Sequence, residues 1–526
     1  MKENISKQKE VITFFLKNSL LISPDFIDKI TPETDSEKLY DLISNKIISN
    51  DFLLLNNDIH QRLSNKNIQD INWFEFERLK VLYEKGRDKI LYHKLIDYFN
   101  ITKINEKPDV KILFSYNEES KKRDVKDFVS FFNSRYKSIE NMLKNRQELQ
   151  NLMSINRILN KKEKETISLI GLVNDKKTTK NDNIILKLED PTGSISVLIS
   201  KNKTDLIKTA KDIVLDEVIG ITGVNGENII FANNVLWPDV PMQKELKKAP
   251  YDAYAICLSD LHVGSTNFLP EEFNKFVKWI NCQTGNENQR EIARKVKYIF
   301  IVGDLVDGVG IYPGQDSELL IKDIYQQYNE CAKLLKQIPP HIKLIICPGN
   351  HDAMRIAEPQ PELYKDFAAA IWGLPNVIMI SNPAMVNIGS TKDFPGFDVL
   401  FYHGFSFDYF IANVESIRNQ GGYDRADLMM KFLLQRRHLA PTHKSTLYIP
   451  DVKRDPLVIS SVPDFFLTGH IHKSSVSNYR NVTMICGSCW QSKTTFQEKV
   501  GHHPEPCRVP IINLQTREVK ILKFGE

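Results

Sequence analysis

The chain contains 526 residues, of which 42% are hydrophobic and 26% are charged. These proportions are typical of a globular protein and exclude a disordered or fibrous chain, and the length predicts three or four domains. The 70 basic and 66 acidic residues leave a formal net charge of +4, which is too small to indicate a nucleic-acid partner without a local basic patch.

The sequence predicts an intracellular, cytoplasmic protein that does not contact a membrane. Its first residues, MKENISKQKEVITFFLKN, lack the long apolar segment of a secretory signal, and no run reaches the roughly 18 apolar residues of a membrane span. Seven scattered cysteines do not form the pattern of a disulfide framework. Cys486 and Cys489 have the spacing of a metal or redox pair, but the strand-like run around them favours a structural role.

Residues 1–95 predict a small helical domain, because segments such as QKEVITFFLKNSLLI show helical spacing of apolar residues. Within this region, QKEVITFF matches the pattern Q-x-x-h-x-x-F-F and resembles the peptides that dock on sliding clamps. The clamp-binding residues would be Gln8, Val11, Phe14 and Phe15. The alternative interpretation is that this segment is the apolar face of a first helix.

A charged linker with one amphipathic helix is predicted over residues 96–150, and a small β-barrel over residues 151–245. Short alternating apolar runs separated by Asn, Asp and Gly turns indicate the barrel, and LEDPTGSISVLI is typical of an OB-fold hairpin. Such barrels often bind single-stranded nucleic acid through stacking aromatic residues. Phe231 and Trp237 are the only aromatic residues in this stretch. A structural or subunit-contact role is therefore preferred, with direct DNA binding as the alternative.

Residues 250–526 predict an α/β domain. The runs YAICLS, YIFIV, IKLIIC, VLFY and DFFL have the continuous apolar character of strands that are covered on both faces. Helical segments lie between them, including one with apolar residues in helical spacing at Leu320, Ile324, Tyr328, Cys331 and Leu335. Loops that follow the carboxyl ends of such strands are the usual positions of active sites.

Each of these five apolar runs is followed by residues that can bind a metal. The motifs are D-x-H, G-D-x-x-D-G, G-N-H-D, H-G and G-H-x-H, and they contain seven candidate ligands: Asp260, His262, Asp304, Asn350, His403, His470 and His472. Mixed nitrogen and oxygen ligands favour Mn, Fe or Zn over Mg or Ca. Seven ligands are too many for one ion, so the sequence predicts two divalent metal ions, preferably Mn²⁺. Such a pair can promote an in-line phosphoryl displacement.

These motifs resemble those of the calcineurin-like metallophosphoesterases, which implies a β-sandwich flanked by helices. With the barrel upstream and FLLQRRHLAPTH before the last motif, the chain further resembles the small subunits of archaeal family-D DNA polymerases. The resemblance implies that each metal has four ligands and that Asp304 is shared: Asp260, His262, Asp304 and His472 for one metal, and Asp304, Asn350, His403 and His470 for the other.

The resemblance also assigns roles to three residues near the ligands. It implies that His351 is the general acid that protonates a leaving 3′ oxygen, and that Asp307 and Asp352 orient or tune their neighbours. Arg437 and His438 are weaker candidates for contact with a substrate phosphate. The alternative for these two residues is a solvated or interface-forming face of a helix.

The function implied by the resemblance is a 3′–5′ DNA exonuclease that proofreads for a polymerase and releases nucleoside 5′-monophosphates. The implied partners are a large catalytic polymerase subunit, DNA and a sliding clamp, in a nucleoid-associated complex. Three alternatives stay open. They are a scaffold subunit with minor catalytic activity, a phosphoesterase that acts on other substrates, and a stand-alone repair nuclease.

Overall fold

The computed structural model describes residues 10–15, 21–22, 31, 34–40, 54–55, 110–117, 122–451, 454–499 and 501–525. The chain separates into two compact units, Met1–Lys107 and Pro108–Glu526. In the first unit, residues 10–15 and 36–40 are helical, and strands β1 (Leu21–Ile22) and β2 (Leu54–Leu55) pair in parallel. Within the described ranges, none of the helices combines the length and apolarity needed to span a bilayer.

Part of the predicted clamp-docking segment can be located in the first unit. Val11 and Phe15 are buried, and the rings of Phe14 and Phe15 lie 5.9 and 6.1 Å from the ring of Tyr40. These contacts agree with the alternative interpretation, in which the segment is the apolar face of a helix. Gln8 lies outside the described residues. Clamp docking stays a prediction, and it requires Val11 and Phe15 to leave their packed positions.

The predicted linker contains two elements of the second unit. Strand β3 (Val110–Ser115) is the edge strand of a sheet in the C-terminal domain, so this part of the linker prediction is corrected. Helix α1 (Val125–Leu143) starts after Asp124, whose carboxylate accepts hydrogen bonds from the backbone N–H groups of Lys126 and Asp127. The helix buries an apolar stripe that includes Phe131.

Helix α1 also carries a buried cation. The Arg135 guanidinium is fully buried, and its Nε lies 2.6 Å from Oδ2 of Asp455. Its Nη1 donates a hydrogen bond of 2.8 Å to the carbonyl of Pro441. Asp455 also accepts a 2.8 Å hydrogen bond from Nε2 of His438. These contacts attach α1 to the C-terminal domain.

Replacing Arg135 by Met is expected to lower the free energy of unfolding by roughly 3–5 kcal/mol, because the Asp455 carboxylate then loses its cation in a buried position. Urea unfolding followed by circular dichroism would measure the loss. Lys137→Met is the matched control, since Lys137 lies on the same helix with its side chain 65% exposed. A loss for Arg135→Met no larger than that of the control would contradict the prediction.

Five strands form a closed barrel between α1 and the C-terminal domain. Their order around the barrel is β4-β5-β6-β8-β7, and helices α2 (Ile155–Leu159) and α3 (Thr204–Lys211) accompany them. The alternating apolar residues predicted from the sequence fill the interior. The strands are β4 (Thr166–Thr178), β5 (Ile184–Asp190), β6 (Gly193–Ile199), β7 (Val218–Asn225) and β8 (Ile229–Leu236).

The C-terminal domain is a sandwich of two six-stranded sheets. The first sheet has the order β12-β11-β10-β9-β18-β19, and the second has the order β16-β17-β15-β14-β13-β3. In the first, β9 to β12 run parallel; in the second, β14, β15 and β17 do. The first comprises β9 (Tyr254–Leu258), β10 (Val296–Val302), β11 (Lys343–Cys347), β12 (Val377–Met379), β18 (Arg508–Asn513) and β19 (Val519–Lys523). The second adds β13 (Ala384–Ile388), β14 (Phe397–Phe401), β15 (Phe465–Thr468), β16 (Ser475–Tyr479) and β17 (Val482–Cys486).

Helices cover the outer faces of both sheets. Apolar side chains from the two inner faces, such as Phe300 and Phe401, form the central core. The first sheet is covered by α4 (Pro270–Ile280), α5 (Glu287–Arg294), α6 (Ile324–Leu335) and α7 (Lys365–Trp372). The second is covered by α8 (Phe407–Asn413), α9 (Glu415–Asn419) and α10 (Ala426–Arg436), and α11 (Thr495–Lys499) follows β17. The predicted β-sandwich flanked by helices is confirmed.

One helix start differs from the sequence prediction. The apolar spacing places Leu320 on the buried face of α6, but the helix begins at Ile324 and Leu320 is 75% exposed. The reason is Asp323, whose carboxylate accepts a hydrogen bond from the backbone N–H of Gln326 and caps the helix.

Candidate metal centre

The seven candidate ligands lie where the parallel strands of the two sheets end. Asp260 and His262 follow β9, Asp304 follows β10 and Asn350 follows β11, all in the first sheet. The remaining ligands follow β14 and β15 of the second sheet: His403, His470 and His472. The carboxyl ends of parallel strands share one edge of a sheet, so packing the two sheets together brings both sets to one place.

The backbone of the ligand loops is strained. Five of the seven candidate ligands have φ between 52° and 72°, namely Asp260, His262, Asp304, His470 and His472. This left-handed conformation is uncommon for residues other than glycine, and clusters of it occur at functional sites, where the surrounding structure maintains it. The glycines beside the ligands allow close approach, since a Cβ at Gly349 would collide with the Asp304 carboxylate.

One group of ligands contains Asp260, His262 and His472. The two imidazole Nε2 atoms lie 3.0 Å apart, and Oδ1 of Asp260 lies 3.3 Å from Nε2 of His472 and 3.9 Å from Nε2 of His262. On its other side, Nδ1 of His262 lies 3.2 Å from Oδ1 of Asp307. A proton on Nδ1 directed at this carboxylate leaves the Nε2 lone pair facing the group.

The second group contains Asp304, Asn350, His403 and His470. Oδ1 of Asn350 lies 3.0 Å from both Nε2 of His403 and Nδ1 of His470. Nδ1 of His403 donates a 2.8 Å hydrogen bond to the carbonyl of Val302, so in the neutral ring that binds a metal Nε2 carries the lone pair. Oδ2 of Asp304 lies 3.2 Å from Nε2 of His403 and 3.8 Å from Nε2 of His262. Asp304 therefore lies between the two groups.

The arrangement fits divalent metal ions. In three sets of described side chains the possible ligand atoms lie within 4.8 Å of one another: Asp260 with His262 and His472, Asp260 with Asp304 and His403, and His262 with Asp307 and His351. Buried nitrogen lone pairs that face each other repel unless a proton or a cation lies between them. Burial disfavours a charged imidazole, yet the Asp304 carboxylate raises the pKa of His403 to about 10. Asp304 itself keeps a pKa well below its usual value against the effect of burial, because of His403. The site thus favours positive charge at this point.

His351 lies next to both groups without belonging to either. Its backbone N–H donates to Oδ1 of Asp304 at 2.8 Å, and its ring centroid is 4.6 Å from that of His262. Its Nδ1 donates a 2.8 Å hydrogen bond to the carbonyl of Asp307. Burial lowers the pKa of His351. With Nδ1 engaged, Nε2 is the atom through which this imidazole can exchange a proton.

Comparison with known proteins agrees with this geometry. The profile of the calcineurin-like phosphoesterases matches residues 255–474, which contain all five motifs. The DNA polymerase II small subunit of Methanothermobacter thermautotrophicus is 38% identical over 402 residues, covering 76% of this chain and 80% of that protein. This chain belongs to the family of DNA polymerase II small subunits. The Archaeoglobus fulgidus member is 37% identical over 405 residues, covering 77% of this chain and 78% of its own length.

Coverage of other family members is smaller. The Pyrococcus furiosus small subunit is 38% identical over 405 residues, and the match spans 64% of its length, less than two thirds. Among solved structures, an archaeal phosphodiesterase aligns with 51% of this chain and 98% of its own, at 14% identity and a TM-score of 0.25. That score is too low to support an inference.

Asp352 connects two ligand loops of this family member. Its Oδ2 accepts hydrogen bonds from the backbone N–H groups of Gly349 at 2.8 Å and Leu305 at 3.4 Å, and its Oδ1 accepts one from the Tyr328 hydroxyl at 3.2 Å. Burial and the nearby Asp304 raise the pKa of Asp352 to about 7. These contacts hold the loop after β10 against the loop after β11.

The sequence motifs did not reveal several residues that hold the ligands. Nε2 of His470 donates a 3.1 Å hydrogen bond to Oδ2 of Asp408, which leaves Nδ1 facing Asn350. The side-chain amides of Gln315 and Gln491 each donate a 2.9 Å hydrogen bond to the Asp307 carboxylate. The two glutamines lie outside the motifs, whereas Asp408, five residues after His403, could have been considered a candidate.

Asp408→Asn is expected to weaken metal binding at the second group by about 10- to 100-fold, because the amide no longer fixes the orientation and charge of His470. Titration of the metal-free protein with Mn²⁺, followed by isothermal calorimetry, would measure the change. Asp427→Asn is the control, since Asp427 lies at the start of α10, where its carboxylate pairs with Arg425 and not with a candidate ligand. Equal Mn²⁺ affinities for wild type and Asp408→Asn would exclude the positioning role.

The structure does not place Arg437 and His438 where substrate could reach them. Arg437 is buried, and its guanidinium donates to the carbonyls of Ile459 and Ser460. Both ring nitrogens of His438 are used, because Nε2 donates to Asp455 and Nδ1 accepts from the backbone N–H of Ala440. Burial lowers the pKa of His438 to about 4, so it is neutral. The expected phosphate contact is corrected to an internal, structural role.

The neighbouring Arg436 lies at the interface between α10 and the barrel. Its Nε lies 2.7 Å from Oε2 of Glu217 in the barrel, and the indole of Trp237 donates to the same oxygen at 3.1 Å. This buried ion pair joins α10 to the barrel.

The two cysteines of the CGSC motif lie in the interior of the domain. Cys486 and Cys489 are both buried and free, and burial raises the pKa of the Cys486 thiol to about 12. A thiol that stays protonated is a poor metal ligand and a poor nucleophile.

Proposed function

We propose that this chain is a 3′–5′ DNA exonuclease, the proofreading subunit of a two-subunit DNA polymerase. The observation that carries the proposal is the position of Asp304 between two groups of metal ligands. Two divalent ions held by these groups would supply the Lewis acidity that an in-line phosphoryl displacement by water needs. The mixed nitrogen and oxygen ligands favour Mn²⁺, with Fe or Zn as alternatives.

The protein's own side chains would bind the metal ions and transfer the proton. Asp260, His262 and His472 would hold one ion, and Asn350, His403 and His470 the other, with Asp304 shared. In its doubly protonated form, His351 would give the Nε2 proton to the 3′ oxygen of the penultimate nucleotide as a nucleoside 5′-monophosphate leaves, and would keep the proton on Nδ1. The Asp307 carbonyl supports this role, because it holds Nδ1 of His351 and orients the ring.

We further propose that the barrel is an OB-fold that serves as a contact domain. Its strands follow the order first, second, third, fifth, fourth, and the third and fifth strands, β6 and β8, pair in parallel. Of its two aromatic residues, Phe231 is 47% exposed, whereas Trp237 packs on Arg436. One exposed aromatic ring is a weak platform for stacking bases. A contact with the large polymerase subunit is the better-supported use.

A scaffold without nuclease activity is the second candidate, because members of this family are named as polymerase subunits. An assay separates the two functions. The full chain would be incubated with single-stranded DNA labelled at the 3′ or the 5′ end, in Mn²⁺ and in EDTA. Stepwise shortening from the 3′ end in Mn²⁺ alone would support the exonuclease. Intact DNA, also with a co-purified large subunit present, would leave only the scaffold.

A further inference from the structure

A cleft of about 660 Å³ opens beside the second group of metal ligands. Phe405 and Asp408 line the end nearest to the metal centre. The ring of Phe405 lies 5.9 Å from that of His470, and Oδ2 of Asp408 accepts the hydrogen bond from Nε2 of the same histidine. The cleft therefore borders the second group at His470, whose Nε2 faces Asp408 and whose Nδ1 faces Asn350.

Aromatic rings and one cation line the rest of the cleft. Tyr409 and His443 both line it, and the ring of His443 is stacked on that of Tyr448, at a centroid distance of 5.3 Å and an interplanar angle of 20°. Lys444, which is exposed, follows His443. Both oxygens of the Asp408 carboxylate accept hydrogen bonds, Oδ1 from the Tyr423 hydroxyl and Oδ2 from His470.

We propose that this cleft holds unpaired nucleobases of the DNA strand whose 3′ end lies in the metal centre. The inference rests on the proposed exonuclease function and adds where the bases bind. Every base has a π-face, so stacking against Tyr409 and His443 accepts any sequence, and Lys444 supplies the charge for a backbone phosphate. A paired terminus cannot use the cleft, which favours frayed or mismatched ends.

The first test measures binding without catalysis. A single-stranded oligonucleotide with 2-aminopurine at its 3′ terminus would be titrated with the full chain in EDTA, where stacking of the base quenches its fluorescence. Wild type should quench the signal, and a Tyr409→Ala/His443→Ala double variant should lose the quenching. Tyr325→Ala is the matched control, because Tyr325 is 48% exposed on α6 and does not line the cleft. Quenching that persists in the double variant would overturn the proposal.

The second test compares the cleavage rates of two substrates in one preparation. The ratio of the two rates does not depend on the fraction of protein that is folded. In Mn²⁺, wild type should remove a normal 3′ nucleotide about 10-fold faster than an abasic one, and the double variant should show a ratio near 1. Lys444→Met should reduce the dependence of log KM on log salt by about 0.7. If wild type removes the two nucleotides at nearly equal rates, the cleft does not bind bases, but the proposed exonuclease function is still supported. If no DNA is cut, the proposed function fails, and the quenching experiment alone decides whether the cleft binds bases.

Discussion

Replacing Asp304 by Ala is expected to reduce DNA cleavage at least about a thousandfold and to lower the bound metal from two ions per chain to one at most. Asp304 is the carboxylate between the two groups, with Oδ2 3.2 Å from Nε2 of His403 and 3.8 Å from Nε2 of His262. Removing it weakens both positions, and a metal pair supplies several kcal/mol of transition-state stabilisation.

Two measurements check this prediction. Metal content after gel filtration in Mn²⁺ would be determined by mass spectrometry, and the initial rate on single-stranded DNA would be measured on the same sample. Asp366→Ala is the matched control, since Asp366 is an exposed aspartate in the first turn of α7. Full metal occupancy together with normal cleavage in Asp304→Ala would show that Asp304 is not a shared ligand.

Replacing His351 by Ala is expected to slow DNA cleavage by about 10²- to 10⁴-fold, the usual contribution of a general acid, while the metal content stays at two. His351 contacts the ligand loops through its backbone N–H and the Asp307 carbonyl, and its side chain belongs to neither ligand group. The two substitutions therefore separate loss of metal from loss of proton transfer.

The identity of the leaving group provides the decisive measurement for His351. A p-nitrophenyl phosphodiester releases an anion that needs no proton, so His351→Ala should slow its hydrolysis far less than that of DNA. His341→Ala, on an exposed histidine just before β11, is the control and should match wild type on both substrates. Equal losses on the two substrates would show that His351 positions the site rather than donating a proton.

The sequence predicted much of the fold because the information was local. Continuous apolar runs indicated β9, β10, β11, β14 and β15, and alternating runs indicated the barrel strands. A ligand motif at the end of each apolar run predicted one site, since parallel strands end at a common edge. The left-handed backbone of Asp260 and Asp304 could not be predicted this way, because it depends on the packing of neighbouring loops.

Some expectations failed because the deciding partner is far away in sequence. The charged composition predicts a linker over residues 110–115, but this segment becomes a strand by pairing with β13, more than 260 residues later. Arg437 and His438 looked available for substrate, but Asp455, Ile459 and Ser460 satisfy them inside the domain.

The sequence alone thus determined the strand-end motifs, the seven candidate ligands and the family resemblance, because each of these features is a short pattern along the chain. Only the tertiary structure decided which side chains orient these ligands. Asp408 on α8 meets His470 because β14 and β15 are neighbours in one sheet, and Gln315 reaches Asp307 within the connection after β10. Gln491 follows β17 of the second sheet, so it meets Asp307 only after the two sheets have packed together. The aromatic cleft also depends on folding, because its walls come from Phe128 on α1 and from residues 405–409 and 443–448, which share no sequence pattern.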